Sequence, residues 1–529
     1  MSDFEATCER LRKLRTKKDL KLRPCSMLVD TFTTLDGKVK PFSLRYYQAQ
    51  MVAHLLMMRR FIVGDDTGCG KTIETIGALC YLWERNPNQK VIVLTKKSAV
   101  PQWAKEFLKF TIGVHVVIQS GTPKKREACR EEFLGTEGPA VLISGYRSMV
   151  RDFSSIQNWE GMILVLDEVT MVKNPSTQVH QVIKHMAAQA DRVWGLTATL
   201  IKNNLVEGFG IYQAVVPGLF TYTKATFIQS FCITRMQVIG RGRQVPIIVG
   251  YRMTDIKRFR EMIDPYYLGR PKHEIATELP VLTTKEISCS MTKFQSAKYQ
   301  EALAGLLELG TGEEKEVTKL TAVTYCQEIV NHPGLIECEG TSDKLDTLVD
   351  LLTEGDLVGE KVIIYTRFER MVGHGIDALK KKGVPCVRIT GKEKQEQRSA
   401  NQDMFQDFKS DINTVWITNA GSDAINLQAA KAIIFYDTPF SAGDFLQALG
   451  RMIRIGSIHD RVLAIHLICN NTVDERTLRI MGKKMDLLEA VLGKRILGED
   501  GVDEIGTTSE ISELFDALQA DAREMISVC

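Results

Sequence analysis

The sequence has no two cysteines at CxxC spacing and no His/Cys cluster of metal-ligand type. Its 12 cysteines are scattered, and several, such as Cys80 and Cys469, sit inside apolar runs. That pattern excludes a zinc module and reads as buried thiols in a reducing compartment. No stretch approaches ~20 consecutive apolar residues, so no membrane span is expected. The N-terminus, MSDFEATCER, lacks an apolar core, so no secretory signal is expected and the chain reads as soluble and cytoplasmic. Repeats and long low-complexity segments are absent. Net charge is small too: a formal +3 at pH 7 supplies no global field, so any nucleic-acid contact must come from local patches. One patch is RLRKLRTKKDLKLR (10–23), which suits either a solvated basic helix or a contact surface. From Glu499 onward the chain turns acidic.

What is present is an alternation of short β-rich apolar runs with helical patterns, in two separate blocks. The first holds FIVG (61–64), VIVLT (91–95), VHVVI (114–118), AVLIS (140–144), MILVLD (162–167) and RVWGLT (192–197). The second holds KVIIYT (361–366), PCVRIT (385–390), TVWIT (414–418), AIIFYD (432–437) and VLAIHLI (462–468). Continuous apolar strands separated by helices imply parallel sheets covered on both faces. The fold class expected is α/β, with two parallel-sheet lobes in tandem and a helical insertion and linker between them. Helical spacing in FQSAKYQEALAGLLEL (294–309), and a second helix over 317–330 stopped by Asn-His-Pro, mark that linker. The expected divisions are a basic segment 1–41, lobe 1 over 42–224, the insertion and linker 225–345, lobe 2 over 346–498 and an acidic C-terminal helix 499–529.

The strongest single motif is GDDTGCGKT (64–72), between the first strand and a helical run. A Gly-rich strand-to-helix turn offers backbone N–H groups, here of Thr67, Gly68, Cys69 and Gly70, to phosphate oxygens at the positive end of a helix. Lys71 would reach the β- and γ-phosphates, and Thr72 would give its hydroxyl to Mg2+. The strict GxxxxGK[ST] pattern fails at its first position, where Asp65 stands. Farther on, LVLDEVTMVKN (164–174) ends an apolar run in two carboxylates. If that strand lies beside the loop strand, Asp167 sits near the metal and Glu168 can deprotonate the attacking water.

Motif after motif, in order over roughly residues 42–480, the chain resembles the Swi/Snf branch of the superfamily 2 helicase-like ATPases. LRYYQ (44–48) is similar to the segment whose Gln reads adenine, which makes Gln48 the base-contacting candidate. VIVLTKKSAVPQWAKEF (91–107) and ISGYRSM (143–149) resemble the strand-tracking motifs. GLTATLIKNNLVEGF (195–209) resembles the motif that couples ATP state to lobe closure. QEIVNHPGLIECEGTSDKLDTLVDLL (327–352) is similar to the entry into the second lobe, and QALGRMIRIGS (447–457) to the last motif. The resemblance implies two RecA-like lobes with ATP hydrolysed in the cleft between them. Arg451 and Arg454, three apart on one helix face, would be arginine fingers of the kind that contribute ~10³–10⁵ in rate. Gly421, in TNAGSDAINLQAA (418–430), would approach the nucleotide. Along the nucleic acid the candidates are Thr95, Lys96, Lys97, Trp103, Ser144 and Tyr146, then Thr366, Arg367, Thr390 and Thr418. Trp103 reads equally as a core aromatic of a packed helix. The basic stretch 235–272, ending in YLGRPK, resembles an insertion of bacterial-type members and suits either duplex contact or a solvated charged helix.

The chain departs from the family pattern at four positions. Thr170 stands where the DEAH box has His, a residue implied to couple hydrolysis to polynucleotide binding. Ser422 and Ala424 replace glycines, and Ser457 replaces a closing Gln. The function expected is an ATP-driven DNA translocase stimulated by duplex DNA, using ATP and Mg2+ and acting as a monomer. The alternatives are an unwinding or annealing helicase, or a nucleic-acid-binding module with weak ATPase. A nearly bare motor without reader modules suits a bacterial nucleoid or, for a virus, the host cytoplasm.

Overall fold

The computed structural model describes the chain except residues 1–2, 34–37, 154–160, 199, 202–204, 240–242, 276–279, 309–315, 420–424, 440–441, 454–456, 482–503, 507–516, 519 and 521–529. It divides into two compact units. The first is Met1–Cys232 with Arg252–Thr277, and the second Ile233–Tyr251 with Glu278–Ala490, apart from short C-terminal pieces.

The first unit is built on a seven-stranded sheet. Its strands are Arg60–Val63 (β1), Lys90–Thr95 (β2), His115–Gln119 (β3), Ala140–Gly145 (β4), Ile163–Asp167 (β5) and Arg192–Leu196 (β6). A hairpin of Ile233–Ile239 (β7) and Arg243–Arg252 (β8) comes next in the chain, and then Tyr267–Leu268 (β9). The order is β9-β1-β6-β5-β2-β4-β3, and every pairing is parallel. Parallel strands bring their carboxyl ends to one edge, where ligands of open α/β sheets bind. Val91, Ile92, Val93, Leu94, Ile163, Leu164, Val165 and Leu166 are all buried, because helices cover both faces.

The six expected strands of this unit are found within two residues of their expected ends. One detail differs: β5 does not lie beside β1, because β6 comes between them. Gly195 permits this close arrangement, since a Cβ there would stand 3.0 Å from Val169 Cγ2.

The second unit has a six-stranded sheet of Val281–Cys289 (β10), Val362–Tyr365 (β11), Cys386–Ile389 (β12), Thr414–Ile417 (β13), Ala432–Phe435 (β14) and Arg461–Cys469 (β15). The order β10-β15-β14-β11-β13-β12 is again wholly parallel. The protein therefore has two RecA-like lobes.

Helices Lys293–Glu308 and Glu316–Asn331 occupy the linker as expected. The span 225–345 is nevertheless not only helical, for it also supplies the β7–β8 hairpin and an edge strand to each sheet. The acidic C-terminal helix expected over 499–529 falls almost wholly outside the described residues. None of the described helices is long and apolar enough to cross a membrane.

Candidate functional site

The loop after β1 leads into the helix Lys71–Trp83, with Gly68 at φ 86° and Gly70 at φ 95°. Both angles are in the region that favours glycine. A Cβ at Gly70 would also stand 2.6 Å from Gln48 Nε2. Gln48 belongs to the buried face of the helix Tyr46–Met57. Its Oε1 accepts from Arg45 N at 3.0 Å, and its Nε2 donates to Cys69 O at 3.3 Å. The structure thus brings the adenine candidate against the loop that carries Thr67 and Cys69, just ahead of Thr72 on the helix.

Lys71 Nζ donates to Asp65 O at 2.7 Å and to Asp66 O at 3.2 Å. An ammonium held only by loop carbonyls can exchange them for phosphate oxygens without a large move.

At the end of β5, Asp167 is fixed from two sides. Thr95 Oγ1 and Trp103 Nε1 both donate to its Oδ2, at 2.7 and 2.8 Å. Tyr146 Oη donates to the Asp167 carbonyl at 2.8 Å. Glu168 follows with φ 51°, one of three non-glycine residues at positive φ among the described residues. A left-handed glutamate at a strand end is strain of the kind that collects at functional sites. Both side-chain bonds end on Asp167 Oδ2. Oδ1 therefore remains as an oxygen donor of the type Mg2+ takes; the Thr72 hydroxyl, at the head of the helix after the loop, is of the same type, so the chemistry of these residues fits that ion.

Thr95 and Trp103 thus have a position that the sequence did not reveal. Trp103 is a core aromatic, 6.1 Å from Phe107 between ring centroids, and its indole N–H is spent on a carboxylate. Trp103→Phe keeps a smaller aromatic ring in the core and deletes that donor. A hydrogen bond to a charged group contributes ~1.5–3 kcal/mol, so turnover should fall roughly 10- to 100-fold with a raised Mg2+ requirement. A magnesium titration of ATPase rate checks this; an unchanged requirement would reduce the N–H to a packing detail.

The nucleic-acid candidates are placed less evenly. Lys97 is exposed and Lys96 half-buried. The side chains of Ser144, Tyr146, Thr366, Thr390 and Thr418 are buried. Thr366 Oγ1 donates to Asp437 Oδ2, and Thr390 Oγ1 stands between Glu369 and Glu393, at 2.8 and 2.7 Å, with one proton to give to either. With at most 4% of their surface exposed, these five residues offer almost nothing to a strand as they stand.

Arg367 is tied into the same buried network: its N donates to Asp437 Oδ1 at 2.9 Å and its Nη1 to Gln327 Oε1 at 2.6 Å. Burial pushes the Asp437 carboxyl up, against the opposing pull of Arg367 and Thr366. Lys344, wholly buried, pairs with Asp474 and donates to Asn331 Oδ1 at 3.1 Å, so the SDKLD segment is a polar strut of the second lobe.

The basic N-terminal stretch is partly consumed inside its own unit. Arg12 and Arg15 of the helix Asp3–Arg15 pair with Asp264, at 3.4 and 3.0 Å. The helix Met253–Ile263 buries Ile256, Phe259 and Ile263 and exposes Lys257, Arg258 and Arg260, an amphipathic basic face. Arg451 lies in the last turn of the helix Ala442–Met452. Gly421 and Arg454 lie outside the described residues, as do Ser422 and Ala424.

Comparison with known proteins accords with this arrangement. Residues 47–335 match the family described as SNF2-related domain, and residues 343–456 match the helicase conserved C-terminal domain. The chain is 28% identical over 476 residues to the Mus musculus chromodomain-helicase-DNA-binding protein 1-like, covering 85% of this chain and 50% of that protein. It is 26% identical over 475 residues to the Saccharomyces cerevisiae nuclear protein STH1/NPS1, covering 85% and 34%. It thus spans half or less of the length of these relatives. A solved SWI2/SNF2 ATPase core from Sulfolobus solfataricus, in complex with dsDNA, is 22% identical with a TM-score of 0.42, covering 90% of this chain and 95% of that one.

Proposed function

The chain belongs to the SNF2-related ATPases of helicase superfamily 2, and from that premise we propose that it is an ATP-dependent DNA translocase whose hydrolysis is stimulated by duplex DNA. The observation that carries the reading is the shared sheet edge. Lys71, held by two loop carbonyls, heads the helix that follows β1, and Asp167 and Glu168 stand at the end of β5, with β6 between the two strands. In this reading Lys71 binds the β- and γ-phosphates and Gln48 borders the base. Thr72 and Asp167 hold Mg2+, which when bound neutralises charge on the phosphates. Glu168 takes the proton of the attacking water. Arg451 and Arg454 are proposed to stabilise charge in the transition state.

For the nucleic acid, the exposed Lys97, half-buried Lys96 and the basic face Lys257, Arg258 and Arg260 support a sequence-independent grip on phosphates. The mouse relative's name includes DNA binding, which supports the same substrate class. The test is the ATPase rate measured with duplex DNA, single-stranded DNA and RNA. Duplex should stimulate most, and the stimulation should weaken steeply with salt, because phosphate contacts release counterions. A rate indifferent to all three polymers sinks the translocase reading.

A further inference from the structure

Asp65 occupies the place where the strict phosphate-loop pattern has glycine, and its side chain is completely buried. A carboxylate there needs a cation, and the structure supplies one from 205 residues downstream. Arg270 gives Nε to Asp65 Oδ1 at 3.1 Å and Nη2 to Oδ2, a two-pronged pair, while its own backbone N donates to Oδ1 at 3.0 Å. The third arm, Nη1, donates to Gln50 Oε1 at 2.8 Å. Its guanidinium carbon lies 5.6 Å from the centroid of Tyr47, whose hydroxyl donates to Cys69 O at 3.2 Å.

The backbone on either side is also joined. Gly64 N donates to Leu268 O at 2.7 Å, and Asp66 N donates to Arg270 O at 3.2 Å. Gly64 itself faces the Tyr267 ring so closely that a Cβ would stand 2.3 Å from it. The segment 267–270 is therefore the outer wall of the loop, and the residues it grips, Asp65 and Asp66, are the two whose carbonyls hold Lys71.

We propose that Arg270, clamped on Asp65 and steadied by Gln50, is a positioning residue of the phosphate loop, a role that rests on reading this loop as the ATP site. Glu74 comes from the helix that follows the loop, with Oε1 3.7 Å from Arg270 Nη2. Burial first, and then the neighbouring Asp65 carboxylate, push its carboxyl well above the usual range. Gln50 extends the clamp outward, since its Nε2 donates to Lys17 O at 2.7 Å and to Arg15 O at 3.3 Å. The setting of Lys71 is thus held by a residue from the end of the basic insertion, through a guanidinium fork that a lysine cannot reproduce.

The test uses the full chain and the non-hydrolysable ATP analogue AMP-PNP. Arg270→Lys keeps the charge and loses the fork, and should weaken AMP-PNP binding roughly tenfold while duplex affinity stays unchanged. Asp65→Asn with Arg270→Lys should be no worse than either change alone, because both break one unit. A merely structural arginine would lower the melting temperature and leave the Kd of the folded protein where it was. Should Arg270→Lys not fold, Gln50→Met, which frees a single arm, decides the matter with an expected loss of roughly threefold. Wild-type protein that binds AMP-PNP beside folded variants that bind it equally well overturns the clamp alone. Wild-type protein that binds none overturns the functional reading, and the clamp with it.

Discussion

Lys71→Ala is expected to stop ATP turnover, with a loss of at least about 10²–10³-fold, the range found when one donor to a transition-state charge is removed. The ammonium sits at the head of the helix Lys71–Trp83, and its recorded partners are the carbonyls of Asp65 and Asp66, so no carboxylate competes with phosphate for it. Removing it takes away a full charge and three donors at the point where the β- and γ-phosphates would lie. Nucleotide affinity should fall together with the rate, because this contact serves both the ground state and the transition state. Duplex affinity should hold, since the exposed basic groups, Lys97 and Arg258 among them, are elsewhere. Phosphate release and DNA binding measured on the same preparation check both halves. A variant retaining a substantial part of wild-type turnover would remove Lys71 from the site.

The parts of this fold that the sequence made legible are those that long buried runs announce. β2, β5 and β14 are largely apolar runs of the kind that a parallel sheet covered on both faces hides. The loop and its lysine were legible because a phosphate cradle needs glycines at fixed offsets from a helix. The edge strands were not. β9 has only two residues, too few for any periodicity, and β10 is mostly exposed along its length, so it has no apolar run. Nor could the direction of the hydroxyls be read. In a sheet covered on both faces the alternation of strand side chains does not separate inside from outside, and Ser144 and Thr366, candidates along the nucleic acid, are buried. The partners of Asp65 and Asp167 were hidden for another reason. Arg270 and Trp103 reach their carboxylates from 205 and 64 residues away in sequence, and no local pattern records such a meeting. The one hint was Asp65 itself, a charge at a glycine position just after a buried strand, which demanded a partner without naming it.

Glu168→Gln should separate binding from chemistry where Lys71→Ala cannot. Glutamine has the same length and branching, so the left-handed backbone at φ 51° is strained no more than before. Asp167 keeps its two donors, Thr95 and Trp103, and its carbonyl keeps Tyr146, so the carboxylate proposed to hold the metal stays in place. What disappears is the ability to accept a proton, and general-base removal typically costs about 10²–10⁴-fold in rate. Nucleotide affinity should be retained or improve, because a negative charge facing the phosphates is gone. The expected protein is therefore one that binds ATP and duplex DNA together and turns over at a small fraction of the wild-type rate. Single-turnover phosphate release with ATP and DNA prebound measures the chemical step directly. If that step proceeds at the wild-type rate, the strain at Glu168 serves some end other than catalysis and the base must be sought elsewhere. If the step slows while affinity stays, the strain has an assigned purpose: it turns one carboxylate toward water and leaves the other beside it for the metal.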